Sequence, residues 1–339
     1  MDKSEKIHRR AVNFDVESIE NAIEDEALVV TIDEESKKRL LSNAWVIFLL
    51  VCLWYSTAVA AITSTKMIMN TLPFPLLLCT VQFGIASIMT TTYRRLSAEK
   101  GLSKSDFSAD KVIEKIAVSY TLGFIFTNFS FSVVNANFAE TVKAGEPISS
   151  VVIGYLLYNE KSSIVTYLTL VPICAGVAIS SINDISFDLF GFLTAAVSNV
   201  CFSSRAVLSR HLFKNYPGYV SEINMFEKIS LLGLMILLPA FLLIEARTLL
   251  TLFFSTREFS LFTLFSLFLF NGVMYTTYNI TSFLVLSRTS LVTHAVLNVF
   301  RRVVIIIFTA VFFNIQLSLF NILGVVLAIS GVLLYIFMK

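Results

Sequence analysis

The chain has 339 residues, 56% of them hydrophobic and only 15% charged, with a mean hydropathy of +0.77 and a formal net charge of +2. Soluble domains carry roughly 25% charged residues, so this composition excludes an ordinary soluble enzyme and a disordered chain. With no basic cluster it also excludes a nucleic-acid binder. At this hydropathy the length corresponds to roughly ten membrane-spanning helices of about 20 residues joined by short loops.

The charge is unevenly placed. Residues 1–42 hold 11 acidic and 7 basic side chains, whereas the rest of the chain holds 13 acidic and 19 basic ones. The first stretch therefore reads as a charged, largely disordered cytosolic tail, with a short helix around Val16–Ala27. No apolar core follows its first charges, so it does not resemble a signal peptide, and it is too acidic for an organellar transit peptide. Cys52, Cys79, Cys174 and Cys201 all lie in apolar stretches and read as small buried residues, outside any disulfide framework or zinc site.

Apolar segments of spanning length follow at 44–64, 75–93, 112–134, 136–157, 163–182, 187–210, 224–245, 260–285, 291–313 and 318–338. Lysine and arginine in the loops test this count. With the N-terminus in the cytosol, the cytosolic segments hold Lys37, Lys38, Arg39, Arg94, Arg95, Lys100, Lys104, Lys111, Lys161, Arg210, Lys214 and Arg288. The opposite side holds only Arg247 and Arg257. The expectation is an all-α integral membrane protein of ten transmembrane helices with both termini cytosolic. Five helices in each half is an odd number, so related halves insert with opposite orientation. The chain is accordingly read as two inverted five-helix repeats, 43–183 and 184–339, after the tail at 1–42. Inverted repeats place the substrate at their interface near the bilayer midplane.

Charges inside the spans mark where that site lies, because an ionisable group at a helix centre costs about 2.5–3.5 kcal/mol on insertion scales. The fourth segment carries Glu140, Lys143 and Glu146 at steps of three in ANFAETVKAGEP, and the ninth carries Arg301 and Arg302 in HAVLNVFRRVVII. These two segments are equivalent in two five-helix halves. Lys66 in the first segment and Arg205 in the sixth add two more cations. Five cations against two carboxylates suit a multivalent anion, with Arg as a two-pronged donor to phosphate and Lys as a point charge. The plainer readings are a structural ion pair among Glu140, Lys143 and Glu146, and snorkelling of Lys66 and Arg205 to an interface. Tyr278 sits among polar neighbours in YTTYNITSFL, and His294 reads as a packing or hydrogen-bonding residue. Asn128 and Asn279 match the N-glycosylation pattern but fall inside helices.

Four stretches in order resemble the triose-phosphate translocator family of the drug/metabolite transporter superfamily. They are TKMIMNTLPFP, ETVKAGEPISSVV, SNVCFSSRAVLSRHL and, most specifically, YNITSFLVLSRTSLVTHAVLNVFRRVVII. The resemblance covers nearly all of residues 44–337. It implies a phosphate grip of Thr127, Lys143, Arg301 and Arg302, with Arg301 standing where the family has Lys. It also implies that Tyr278 and the position of Phe124 meet the organic part of the substrate. Phe124 replaces a family His, and Ala139-Glu140 replaces a Thr-His pair of the plastid members, so the fourth segment looks more like the endomembrane branches. Lys66, Glu140, Glu146 and Arg205 are accessory candidates.

The function expected from this is exchange of inorganic phosphate for a phosphorylated metabolite, by a secondary-active antiporter using alternating access. A nucleotide-sugar/nucleotide-monophosphate antiporter is the alternative, and a membrane scaffold or receptor is a third class. No enzyme, cofactor or metal is expected, because no nucleophile–base pair, ligand cluster or phosphate-cradling loop is present. The partners are the small anionic substrate, phosphate and the bilayer, and both a monomer and a homodimer fit. The endoplasmic reticulum or Golgi is the expected membrane, with the outer membrane of a complex plastid as the alternative.

Overall fold

A computed structural model describes residues 44–96, 107–159, 161, 163–182, 184, 186–216, 219–255, 261–286, 288, 289 and 291–338. The acidic tail and its short helix lie outside the described residues. The chain divides into two units at Leu50 and Val51. Of the first, only residues 44–50 are described, and the packing below concerns the second.

Every regular element among the described residues is a helix. In chain order they are α1 (Ala44–Thr71), α2 (Pro75–Leu96), α3 (Phe107–Val133), α4 (Ala136–Lys143), α5 (Glu146–Tyr158), α6 (Ile164–Ile182), α7 (Leu189–Asn215), α8 (Glu222–Ile244), α9 (Ala246–Ser255), α10 (Leu261–Leu286), α11 (Leu291–Phe312) and α12 (Leu319–Met338). Seven of them, α1, α2, α3, α6, α7, α8 and α12, are long and apolar enough to cross a membrane. The centre of α10 carries Asn271, Tyr275, Thr276, Thr277, Tyr278 and Asn279, which dilutes its apolar character.

Two features depart from the expected segments. The fourth, expected as one helix over 136–157, breaks after Lys143 and restarts at Glu146. Pro147 cannot donate to the carbonyl four residues back, and its ring clashes with that turn. The turn at Ala144–Gly145 instead closes with short bonds, from Ala144 N to the Glu140 and Thr141 carbonyls and from Gly145 N to the Val142 carbonyl. The second departure is α9, an extra short helix between α8 and α10. Cys52 and Cys174 are also exposed rather than buried, as small apolar side chains can be where lipid is the solvent.

Helix ends leave free amides and carbonyls that lipid cannot satisfy, so they need partners. Here two distant charged side chains supply them. Glu245, between α8 and α9, accepts from Leu76 N and Leu77 N at 3.0 and 2.8 Å, capping the start of α2. Lys66 donates to the carbonyls of Phe131 and Val134 at 2.9 and 2.8 Å, capping the end of α3. Each charge also has the sign that the helix dipole favours at that end. At the other end of α2, Glu227 of α8 takes a hydrogen bond from Thr91 (2.9 Å) and pairs with Arg94 (2.8 Å). Lys228 pairs with Asp110 of α3 at 2.6 Å.

The most extensive helix interfaces are α3 with α7 and α6 with α12, followed by α2 with α8. Small residues set the α6–α12 contact, as expected where lipid offers no hydrophobic drive and close backbone approach does the work. A Cβ on Gly324 would lie 2.5 Å from Ser180 N, and one on Gly176 would lie 2.3 Å from Ala328 N. Gly324→Val is therefore expected to block α6–α12 docking, seen as aggregated protein on size-exclusion chromatography while a lipid-facing Leu323→Val stays monodisperse.

Burial pushes the Glu245 carboxyl above its ordinary range, and the two α2 amides oppose the shift. The folded state thus holds this proton more tightly than the unfolded chain. The associated stability is complete below the ordinary carboxylate range and is lost as pH rises through the raised value. Glu245→Gln removes that dependence, so the difference in thermal midpoint between wild type and variant should change from pH 4.5 to pH 7.5, with wild type losing relative stability as pH rises. A constant difference would show that Glu245 does not titrate in this window.

Candidate functional site

The break in the fourth segment brings two opposite helix ends to one place. Lys143 occupies the last turn of α4, where partly negative carbonyls favour a cation, and Glu146 the first turn of α5, where amides favour an anion. Discontinuous helices of this kind recur at transporter midplane sites. Two side chains of α7 support the break. Asn199 donates to the Val142 carbonyl at 2.9 Å, and Ser203 donates to the Glu146 carbonyl at 3.1 Å.

Facing the break, α11 supplies Arg302. Its guanidinium spans both carboxylates, at 3.3 Å from Glu140 Oε2 and 2.7 Å from Glu146 Oε2. Lys143 Nζ lies 3.4 Å from Glu140 Oε1. The Glu140 side chain is 1% exposed, so it is a carboxylate kept in the interior by two cations. The structural ion pair anticipated for Glu140 and Lys143 is thus present, within a larger cluster held by Arg302.

This cluster forms one wall of a cavity of about 180 Å³ that α1, α2, α3, α7, α10 and α11 complete. A second cavity of about 170 Å³, mostly apolar, lies among α5, α11 and α12, and Lys143, Glu146, Asn298 and Arg302 line both. The first cavity gathers nine of the ten residues singled out from the sequence: Phe124, Thr127, Glu140, Lys143, Glu146, Arg205, Tyr278, Arg301 and Arg302. Lys66 is the exception. It lies elsewhere, with its ammonium on the end of α3.

The four cavity cations are not equivalent. Lys143 and Arg302 already have carboxylates. Arg301 and Arg205 have none at ion-pair distance among the described residues. The Arg301 Nε donates to Asn298 Oδ1 at 3.0 Å, and its guanidinium carbon lies 5.7 Å from the Trp54 ring and 5.9 Å from the Tyr278 ring. Arg205 sits 5.4 Å over the Tyr120 ring, and its Nε has no partner among the described residues. Aromatic faces attract such cations but leave their N–H groups to bond elsewhere. Thr127 donates its hydroxyl proton to the Gly123 carbonyl at 2.8 Å, which leaves its lone pairs toward other donors.

Opposite the charges the wall is aromatic and amide-rich. Phe124 packs against Phe83, Tyr120, Phe202 and Tyr275 with ring centroids 4.8–6.1 Å apart. Tyr120 donates to Asn279 at 2.9 Å. Gln82 joins Asn271 at 2.8 Å and Asn128 at 3.3 Å, so these amides fasten α1, α2, α3 and α10 together beneath the cavity. Asn128 and Asn279 are thereby buried helix residues, as the sequence reading held.

Sequence reasoning missed Trp54. It is 2% exposed and lines the cavity, and its indole lies parallel to His294 at 5.0 Å. His294 in turn contacts Ser282 at 3.2 Å. Trp54 Nε1 has no hydrogen-bond partner among the described residues, a situation that costs about 1–3 kcal/mol when nothing satisfies the group. Next to it Tyr55 donates to the Leu297 carbonyl at 2.5 Å, holding α1 on α11. The available signal was a Trp-Tyr pair on the same helix as an intramembrane lysine.

Comparison with known proteins agrees with this architecture. A solved structure superposes with a TM-score of 0.52 over 86% of this chain and 96% of its own, at 16% sequence identity, and so shares the fold. The phosphoenolpyruvate/phosphate translocator 1, chloroplastic, of Oryza sativa subsp. japonica is 31% identical over 283 residues, covering 84% of this chain and 69% of its own length. The triose phosphate/phosphate translocator, non-green plastid, of Brassica oleracea var. botrytis is 30% identical over 289 residues, covering 85% and 71%. The glucose-6-phosphate/phosphate translocator 1, chloroplastic, of Arabidopsis thaliana is 28% identical over 320 residues, covering 92% and 79%. The model of the Triose-phosphate Transporter family matches residues 45–336. This multi-pass membrane protein belongs to that transporter family.

Proposed function

We propose that the protein is a secondary-active antiporter that exchanges inorganic phosphate for a phosphorylated metabolite by alternating access. The observation that carries this reading is the charge of the cavity, where four cations meet two carboxylates and, among the described residues, Arg205 and Arg301 have no carboxylate at ion-pair distance. A buried excess of two positive charges is costly empty and is neutralised by a dianion. An empty transporter therefore resists closing around its own cations, and a loaded one does not, which couples outward passage of one anion to inward passage of another. Lys143, Arg301, Arg302 and Thr127 form the phosphate side, with Arg205 at the far end, Glu140 and Glu146 as resident counter-charges, and Phe124 and Tyr278 beside the organic part.

The same reading takes the helices as ten spans in two inverted repeats, 43–183 and 184–339, with both termini cytosolic. In support, α2 packs on α8, α4 on α11 and α6 on α12. Each pair joins a span to its counterpart five spans later, the contact expected of spans that lie beside a two-fold axis between repeats. The relatives are phosphate translocators by name, which favours this substrate class over nucleotide sugars. Their names are also plastid ones, which favours a plastid membrane over the endoplasmic reticulum or Golgi.

Liposomes loaded with unlabelled phosphate should take up labelled phosphate, and liposomes without internal anion should not. Competition by triose phosphates, phosphoenolpyruvate, glucose 6-phosphate and nucleotide sugars names the substrate class. Uptake of a nucleotide sugar against its monophosphate, without phosphate exchange, overturns the proposal. Lys143→Ala and Arg302→Ala should each abolish exchange, and near-wild-type rates in both would also refute it. Glu140→Gln leaves two cations with one fewer counter-charge and should lower stability by about 3–5 kcal/mol. Adding phosphate should restore much of the lost thermal midpoint, as a ligand that binds only the folded state does.

A further inference from the structure

Arg301 and Trp54 line the cavity side by side, Arg301 without a carboxylate at ion-pair distance and Trp54 with an indole N–H that has no partner among the described residues. His294 and Arg301 are seven residues apart on α11, two turns or about 10.5 Å along the axis. The Trp54 indole is 5.0 Å from the His294 ring and 5.7 Å from the Arg301 guanidinium carbon. It therefore fills the space between them as a spacer between two turns of the neighbouring helix. Its Nε1 is buried and has no partner among the described residues, although a buried Trp N–H normally finds one. The guanidinium beside it has Asn298 as its polar contact and no carboxylate at ion-pair distance. On the opposite side of the ion cluster, Glu140 and Glu146 already occupy Lys143 and Arg302.

We infer that the Trp54 indole N–H donates a hydrogen bond to the phosphate group held on Arg301, so that Trp54 is a binding residue for the transported anion. The inference rests on the phosphate-exchange reading and extends it. An anion arriving in the cavity meets Arg301 before it displaces a glutamate from Lys143 or Arg302. The indole, fixed by His294 on α11, gives that first contact a neutral donor of fixed direction. A group that contacts only the phosphate serves inorganic phosphate and its esters alike.

The chain has two tryptophans, Trp45 and Trp54, and Trp45 is 64% exposed. In the full-length Trp45→Phe protein, Trp54 is the sole indole. Titration with inorganic phosphate should then give a saturable change in its fluorescence, absent with chloride at equal ionic strength. Trp54→Phe keeps an aromatic face for His294 and Arg301 and removes the N–H. In the liposome assay it should raise the KM for inorganic phosphate and for the phosphorylated counter-substrate by the same factor, about tenfold, with turnover at saturation retained.

An unchanged KM in Trp54→Phe overturns the inference, even where Trp54→Ala loses transport, because the indole would then only support Arg301. So does a rise confined to the organic substrate, which would place the N–H on the other end of the molecule. Should Trp54→Phe fail to fold, the Trp45→Phe titration decides, and a flat response in protein that exchanges phosphate refutes the inference. Absence of phosphate exchange by the wild type is a different result, which removes the functional reading itself.

Discussion

Four ionised groups inside a membrane protein hold one another in place, and most of the site follows from that constraint. Glu140 cannot remain charged in the interior without Lys143 and Arg302, and Arg302 reaches it only because α4 stops one turn before Glu146. α7 braces the break from outside, with Asn199 and Ser203 donating to the Val142 and Glu146 carbonyls. Helix packing, backbone satisfaction and charge balance thus become one problem with one solution. Moving any of these helices by a turn would leave at least one ion or carbonyl unpaired where water cannot help.

The arrangement also separates two kinds of cation. Lys143 and Arg302 are paired with carboxylates, whereas Arg205 and Arg301 lie against aromatic faces with no carboxylate at ion-pair distance among the described residues. An anion-binding cavity built only of the first kind would be self-satisfied, and one built only of the second would be too costly to fold. On the exchange reading proposed above, the carboxylates limit the cost of the empty pocket, and the remaining excess of positive charge is what a dianion would neutralise.

Much of this was legible in the sequence, and the parts that were not share a cause. Apolar runs marked where the helices lie, the cost of intramembrane charge picked out six residues of the cavity wall (Glu140, Lys143, Glu146, Arg205, Arg301 and Arg302), and the family resemblance added Phe124, Thr127 and Tyr278. The break in the fourth segment was written in Gly145-Glu146-Pro147, but its apolar surroundings read as one continuous span. Lys66 was legible as a buried cation. Its target was not, because the carbonyls it caps lie 65 and 68 residues away. Glu245 likewise sits at the end of an apolar run, and its two amide partners belong to α2. Trp54 stayed hidden because an aromatic residue in an apolar helix looks the same whether it packs against lipid or beside an arginine. Local pattern reveals that a group is unusual, and only the fold reveals what it is unusual for.

The fastening of the long interfaces has a mechanical consequence. α2 is pinned to α8 near both ends, by Glu245 at one and by Glu227 at the other, while α6 and α12 touch backbone to backbone through Gly176 and Gly324. Neither pair can part without exposing bare amides or emptying a seam no side chain fills, so both act as struts. The turn at Ala144–Gly145, by contrast, interrupts the ordinary ladder of helical hydrogen bonds. On the exchange reading proposed above, a bend there would change the distance between Lys143 and Glu146 directly, so the joint and the charges that meet the anion would be the same few residues.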